Sequence, residues 1–226
     1  MSALSSVSAP AAPARCPVPP GSAAAPLADL RFRALLDEAQ WASLPPAVRR
    51  RFSKRLAPGE VALYRGEVVE TRLSRSGRVL AFLARLIGAP LPLTDGATGP
   101  AVVAVSEEPR LGGQIWQRSY ARPGRFPQVV HSAKRFGGPT GLEEHVGHGV
   151  GMTLAVSAEH GALVFRSQRY FLEVGRLRLY LPRLLEPGAM TITHRDEGGG
   201  RFAFVLELEH RRLGRLLHQL ARFRDV

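Results

Sequence analysis

The chain has 226 residues, with 31 lysine and arginine residues against 19 aspartate and glutamate residues, and a single cysteine. This length suits one domain with a buried core, and a composition of 45% hydrophobic and 22% charged residues is typical of a globular chain. The lone Cys16 excludes an internal disulfide framework and any multi-cysteine zinc or iron–sulfur site. The formal charge of +12 raises the question of an anionic partner.

The first 26 residues have the composition of a tail. Twenty of them are alanine, proline, serine or glycine, and their apolar residues show no periodicity. We therefore predict a disordered tail over 1–26 and a single α+β domain over 27–226. The tail lacks the basic and continuous apolar segments of a secretory signal, and no stretch reaches about 18 apolar residues. We expect a cytoplasmic protein with no transmembrane segment.

Three helices are predicted in the first 90 residues. Apolar residues at helical spacing indicate a first helix between 27 and 39, and the double proline at 45–46 starts a second. The second helix is expected to end near residue 56 and to pack through Val48 and Phe52. The segment 77–87 is the most apolar helix, with only two arginines as charges. We expect it to be buried against a sheet; the alternative is a helix that binds a membrane surface or a partner.

Strands dominate the rest of the chain. One is predicted at 61–73, before the third helix, and from residue 100 the apolar period changes to two. The further predicted strands are 101–107, 114–120, 126–132, 142–146, 150–158, 162–174, 190–196, 202–210 and 216–223. Short glycine-rich connections join several of them, as in hairpins. The sequence therefore predicts N-terminal helices followed by a curved antiparallel sheet, a half-barrel or barrel-like meander.

The basic residues are spread along the chain. Only Lys54 and Lys134 are lysines; the other 29 are arginines, found from Arg15 to Arg224. A nucleic-acid surface would concentrate them on one face among aromatic residues, so we do not expect nucleic acid as the partner. The densest run lies in the second helix and comprises Arg49, Arg50, Arg51, Lys54 and Arg55. It is either a solvated helix face or a surface for nucleic acid or anionic lipid.

One cluster combines histidine with carboxylate: Glu144, His145 and His148. In a strand the two histidines point to opposite faces, so a metal would need a bulge or a third ligand such as His131 or His160. We predict no metal and no cofactor. General acid–base or metal chemistry at this cluster is the enzymatic alternative, and since no nucleophile elbow or phosphate loop is present, the sequence favours a non-enzyme.

Polar residues within long strands indicate a binding pocket. Arg169 and Glu173 interrupt an apolar face of the strand at 162–174, and Trp116, Arg118 and Tyr120 share one face of the strand at 114–120. Charges inside a barrel must be paired or must meet a ligand. These five residues therefore predict an amphipathic pocket with an arginine that anchors an anionic head group. The alternative is that this face meets solvent.

Eight short strings follow one another along the chain: FRALL at 32–36, LPPAVR at 44–49, LARLIGAP at 83–90, WQR at 116–118, EHVG at 144–147, LPRLLEP at 181–187, GRFAF at 200–204 and LGRL at 213–216. In this order they resemble the bacterial family known as domain of unknown function 4166. The resemblance covers roughly 30–224. It implies an accessory or substrate-side role beside a dinucleotide-binding, dehydrogenase-like partner domain, and it supplies no catalytic residues.

The leading hypothesis is a non-catalytic binding or accessory domain. Its concave sheet would hold an apolar or amphipathic small molecule. The alternatives are an enzyme that uses Glu144 with His145 or His148, and a basic surface around 49–55 that binds nucleic acid or anionic lipid.

Overall fold

A computed structural model describes residues 29–225 except 87, 89–90, 93–94 and 109–111. The predicted tail, with Cys16, lies outside the described residues. So does Ile87, the last residue of the third predicted helix. The tail's disorder therefore stays a prediction.

The N-terminal segment forms short helices. A 3-10 turn at Arg33–Leu35 precedes α1 (Glu38–Ser43) and α2 (Pro46–Phe52). The prediction of one helix between 27 and 39 is wrong, because Leu36 is extended and the Asp37 carboxylate caps a new helix by accepting from the Gln40 amide at 2.7 Å. The second helix starts at the double proline as predicted but ends at Phe52, about four residues earlier than expected.

Each predicted strand is present, with bounds that extend up to four residues beyond the predicted ones. In chain order the remaining elements are β1 (Val61–Leu73), α3 (Arg75–Leu86), β2 (Gly99–Glu108), β3 (Gly113–Arg122), β4 (Arg125–Phe136), β5 (Leu142–Gly147), β6 (Val150–Glu159), β7 (Ala162–Val174), β8 (Leu177–Tyr180), β9 (Ala189–Gly198), β10 (Arg201–His210) and β11 (Gly214–Asp225). The short β8 is the one strand here that the sequence pattern does not predict. No helix among the described residues is long and apolar enough to cross a membrane.

The strands close into an antiparallel barrel. Ten of them form a ring in the order β1–β2–β3–β4–β5–β6–β7–β9–β10–β11, and β11 pairs with β1. The remaining strand, β8, pairs with the C-terminal part of β7. The broad prediction of helices followed by a curved antiparallel sheet is confirmed. The sheet is closed, however, and not a half-barrel.

The helices lie at opposite ends of the barrel. At the α1–α2 end, Gln40 of α1 accepts from the amide of Ala158 beside the β6–β7 turn, and Arg51 of α2 pairs with Asp196 and Asp225. At the α3 end, where the β3–β4, β5–β6 and β10–β11 turns also lie, the Ser74 amide donates to the Leu216 carbonyl. The hairpins alternate between the two ends because every pair of strands is antiparallel.

The N-terminal helices plug one end of the barrel. Their large apolar side chains are almost completely buried: Phe32, Trp41, Leu44, Val48 and Phe52. They pack against the barrel interior, including Leu163 and Phe165. Full burial of such a side chain contributes roughly 1.5–3 kcal/mol, so this cluster fixes the plug firmly.

A buried histidine, His194, packs among aromatic rings next to the helices that close this end of the barrel. His194 is 1% exposed, and its ring centroid lies 5.1 Å from that of Phe52 and 4.9 Å from that of Phe204. Burial, and then the positive charge of Arg51, lower the pKa of His194 to about 3. The side chain is therefore neutral in the folded protein at pH 7.

We expect His194 to make folding acid-sensitive. Its folded pKa lies below its unfolded value of about 6.5, so the unfolded chain takes up the proton first and stability falls as pH drops from about 6.5 toward 3. Between pH 7 and pH 5 this one group should cost about 2 kcal/mol. Urea unfolding at the two pH values measures the loss. The His194→Phe variant should lose about 2 kcal/mol less than wild type, and His131→Gln, an exposed control, should behave like wild type. Equal losses in all three proteins would contradict the prediction.

Candidate ligand-binding site

The barrel encloses a cavity of about 600 Å³. Its wall is mostly apolar and is built from inward-facing residues of the strands, as the alternation along β10 illustrates: Phe204, Leu206 and Leu208 all line it. These three residues stand at every second position of the strand predicted at 202–210, as the apolar period of two requires. The volume falls in the range of roughly 300–1,000 Å³ that is usual for small-molecule sites.

The plug closes the bottom of this cavity. Phe52 of α2 and Phe165 of β7 form part of the lining there, with ring centroids 5.8 Å apart. Neither side chain is more than 4% exposed. The cavity is therefore sealed at the α1–α2 end.

Helix α3 forms the roof. Leu80, Leu83 and Ala84 line the cavity, as does Leu185 of the loop at 181–188. Leu83 is 51% exposed and Leu185 is 68% exposed, so the cavity reaches solvent between them. The α3 end is thus the entrance.

The approach of α3 to the barrel depends on small residues. Gly77, Ala81 and Ala84 are its buried residues, and a Cβ on Gly77 would lie 2.0 Å from the carbonyl oxygen of Leu216. The larger Phe82 and Leu86 are 61% and 73% exposed. The expected burial of the helix against the sheet is therefore correct for its small residues and for Leu80, which packs on the core, but not for Phe82 and Leu86, which point away.

A polar group interrupts the apolar wall. Glu144 of β5 accepts hydrogen bonds from the Lys134 Nζ (3.0 Å) and the Ser132 hydroxyl (2.7 Å), both on β4. Arg118 of β3 lies 3.6 Å from the same carboxylate and donates to Ser132 from Nη1 and Nη2 at 3.3 Å. All four residues line the cavity, and neighbouring strands bring them together.

This group has a formal charge of +1, from two basic side chains and one carboxylate. The cations Lys134 and Arg118, with the hydrogen bond from Ser132, lower the pKa of Glu144 to about 2 despite its burial, so the carboxylate is ionised. Burial lowers the pKa of Lys134, and Glu144 opposes that effect. With Lys134 protonated on the carboxylate, two cations face one anion. The wall is therefore suited to a further negative charge.

Aromatic rings surround the cations. The Lys134 Nζ lies 5.4 Å from the ring centre of Trp116 and 5.5 Å from that of Phe165. Tyr120 lies further along β3, nearer the entrance, and burial raises the pKa of its hydroxyl. The structure thus places Trp116, Arg118 and Tyr120 together on the cavity wall.

Arg169 and Glu173 lie on the other side of the sheet. A bulge leaves Gln168 of β7 without a partner, since Thr153 pairs with Arg169 while Leu154 pairs with Ser167. The extra residue reverses the alternation, so Tyr170 and Leu172 line the cavity. Arg169 contacts Glu186 and the Leu181 carbonyl, and Glu173 pairs with Arg178. The sequence pattern predicts that Phe165 and Arg169 share one face of the strand. The bulge between them puts Arg169 on the opposite face.

The histidine–carboxylate cluster is divided by the sheet. Glu144 faces the cavity, while His145 lies outside beside Glu143, at 3.3 Å, and Glu173, at 3.8 Å. Burial and the charge of Arg135 lower the pKa of His145. His148 occupies the β5–β6 turn with φ of 47° and is exposed. The three side chains do not converge on one point.

The basic run on α2 is only partly a free surface. Arg51 has an 8% exposed side chain, bonded to Asp196 (3.0 Å) and Asp225 (2.9 Å) and stacked 4.3 Å from the Phe202 ring centre. It ties α2 to the barrel. Arg50, Lys54 and Arg55 are exposed, and Arg49 is half-buried.

Sequence reasoning missed Lys134 and Ser132. The predicted strand ended at Ser132, whereas β4 continues to Phe136. A signal was present, because Lys134 is one of only two lysines and follows Val130 and Ser132 at the spacing of a strand face.

Comparison with known proteins gives one match. A family model described as domain of unknown function (DUF4166) matches residues 44–223, which include all eleven strands except the last two residues of β11. Neither the curated proteins nor the solved structures contain a significant match. The match confirms the resemblance seen in the sequence: the chain belongs to the DUF4166 family.

Proposed function

We propose that this chain is a binding protein whose barrel holds an amphipathic small molecule with an apolar body and an anionic head. The observation that carries the proposal is an apolar cavity of about 600 Å³ with two cations and one carboxylate on its wall. An apolar wall binds the body through the hydrophobic effect, and a few convergent polar groups orient the ligand.

The cationic group supports a specific orientation for the ligand. Lys134 and Glu144 are 3% exposed, so they lie deep in the barrel, while the lining leucines of α3 lie at the entrance. An anionic head would meet Arg118 and Lys134 at depth, and the apolar body would extend toward α3.

Arg118 is the best-placed residue to bind the head. A guanidinium has five N–H donors, and the contacts to Ser132 use two of them. Its side chain is 21% exposed, unlike the buried Lys134. It can therefore donate to a carboxylate or similar anion without breaking the Lys134–Glu144 pair.

Binding is favoured over catalysis by the state of Glu144. Both of its oxygens accept hydrogen bonds, and its low pKa keeps it ionised. Its role in this arrangement is to hold the two cations in place. An accessory role beside a dehydrogenase-like partner stays a prediction from the family resemblance.

A titration with saturated fatty acids, from dodecanoate to octadecanoate, tests the proposal. We expect binding that changes Trp116 fluorescence, with the methyl esters binding more weakly. The Arg118→Gln variant should bind the acids about 10-fold more weakly or worse, since a hydrogen bond between charged groups contributes roughly 1.5–3 kcal/mol.

Arg169→Gln is the matched control, because Arg169 lies on the opposite face of the sheet. It should bind like wild type. The proposal would be refuted if wild type bound neither acid nor ester, or if Arg169→Gln lost affinity while Arg118→Gln kept it.

A further inference from the structure

Helix α3 presents a large apolar face to solvent. Val79, Phe82 and Leu86 are 61%, 61% and 73% exposed, although Gly77 and Ala81 on the other side are buried against the barrel. The helix has three arginines and no acidic residue. Such a combination is typical of helices that lie in the interface of a membrane.

Arginines from distant parts of the sequence converge at the same end of the barrel. Arg75, Arg78 and Arg85 belong to α3, Arg125 to the β3–β4 turn region, and Arg211 and Arg212 to the β10–β11 turn. All six are exposed, and none has a side-chain ion pair or hydrogen bond to another described residue.

The described carboxylates at the α3 end form no ion pair with these six arginines. Glu173 and Glu186 pair with Arg178 and Arg169, and Asp95 accepts from the Leu73 amide. Glu209 lies opposite Arg215 in the β10–β11 register.

At the other end six of the described arginines form ion pairs with carboxylates, and two of them are tied to the barrel in this way. Arg31 binds Asp29 and Glu107, and Arg51 binds Asp196 and Asp225. Exposed cations also lie on and just after α2, such as Arg50 and Lys54, but the large apolar residues of that helix are buried. At the α3 end the unpaired arginines instead accompany an exposed apolar face.

Exposed apolar side chains accompany the arginines on the turns. Phe126, beside the β3–β4 turn, is 92% exposed, and Leu213, in the β10–β11 turn, is 57% exposed. With the apolar face of α3 they form three separate apolar projections, each flanked by arginines.

We propose that the α3 end of the barrel docks on the surface of an anionic lipid bilayer. The apolar projections would enter the interface while the arginines contact lipid phosphates, each arginine raising the affinity roughly 5-fold. A bilayer interface can accept the apolar side chains of α3 and of both turns at once, whereas a nucleic-acid backbone would leave most of them in water, so a bilayer fits the surface better. The entrance of the cavity lies at this end, but the docking rests on surface residues alone and not on the proposed ligand.

Vesicle flotation with the full chain tests the docking. The probes are vesicles of phosphatidylcholine alone and of phosphatidylcholine mixed with an equal amount of phosphatidylglycerol. We expect binding to the mixed vesicles, weakening with added salt, and little binding to the neutral ones. Arg78→Gln/Arg85→Gln should bind about 30-fold more weakly, and Phe82→Ser/Leu86→Ser at least about 10-fold more weakly.

The matched control is Arg50→Gln/Lys54→Gln, which removes two exposed charges at the opposite end. It should bind like wild type, and thermal unfolding should show that all variants fold, since every substituted side chain is exposed. Absence of binding to the mixed vesicles at low salt would overturn the docking, as would an equal loss in the control. Failure here would leave the fatty acid titration unaffected, so the two proposals fail separately.

Discussion

Replacing Glu144 by alanine is expected to lower the free energy of unfolding by about 3–5 kcal/mol, the usual cost of removing one partner of a buried ion pair. Glu144 and Lys134 are 3% exposed, and their side chains are joined at 3.0 Å. Without the carboxylate, Lys134 and Arg118 would face each other in an apolar cavity. Urea unfolding at pH 7 measures the change.

The double variant Lys134→Met/Glu144→Leu is the control for this prediction. It removes both members of the pair and leaves only Arg118, whose side chain is 21% exposed and can reach water, so it should recover most of the lost stability. A loss of less than about 1 kcal/mol in the free energy of unfolding of Glu144→Ala would mean that the carboxylate does not hold Lys134 in place. The proposed binding of an anionic head beside Lys134 would then lack support.

Replacing Gly77 by alanine is expected to destabilise the protein by about 2–3 kcal/mol, although alanine favours a helix by about 1 kcal/mol over glycine. The new Cβ would lie 2.0 Å from the Leu216 carbonyl oxygen, so α3 would have to move away from β11. A lower free energy of unfolding would therefore show that α3 packs closely against β11 at Gly77. Chemical denaturation gives the magnitude.

Ser76→Ala, one residue earlier in the same helix, is the matched control. This substitution adds no Cβ, because serine already has one. The change in the free energy of unfolding should therefore follow helix propensity alone. Stabilisation by Gly77→Ala would show that α3 does not pack against β11 through this glycine.

The strands could be predicted from the sequence because apolar and polar residues alternate along most of a half-buried strand. Phe204, Leu206 and Leu208 illustrate this: all three line the cavity, as their spacing predicts. The same pattern placed Trp116 and Arg118 on one face. Closure of the barrel could not be predicted, since the pairing of β11 with β1 depends on how far the sheet curls.

Two local features reversed predictions about side-chain direction. The bulge at Gln168 adds one residue, which moves Arg169 and Glu173 to the outside. In α3, the close approach of Gly77 to β11 buries the small residues and exposes Phe82. Periodicity shows which residues share a face of a helix. It does not show which face packs against the sheet when one face carries small residues and the other carries large ones.

The distribution of charge over the protein surface depends on the fold and not only on the spacing of basic residues along the chain. Arg78, Arg125 and Arg212 are far apart in sequence and looked scattered, yet the antiparallel topology brings their segments to one end. Arg51, in the densest basic run, is instead tied to Asp196 and Asp225. Density along the chain was thus a poor guide to the basic surface.

A crystal structure with a fatty acid brominated at its last carbon tests the central claim most directly. We predict density in the barrel, with the carboxylate within hydrogen-bond distance of Arg118 and the bromine near Leu80 and Leu83 of α3. A ligand bound only outside the barrel, or a carboxylate at the α3 end with the bromine beside Lys134, would contradict the account.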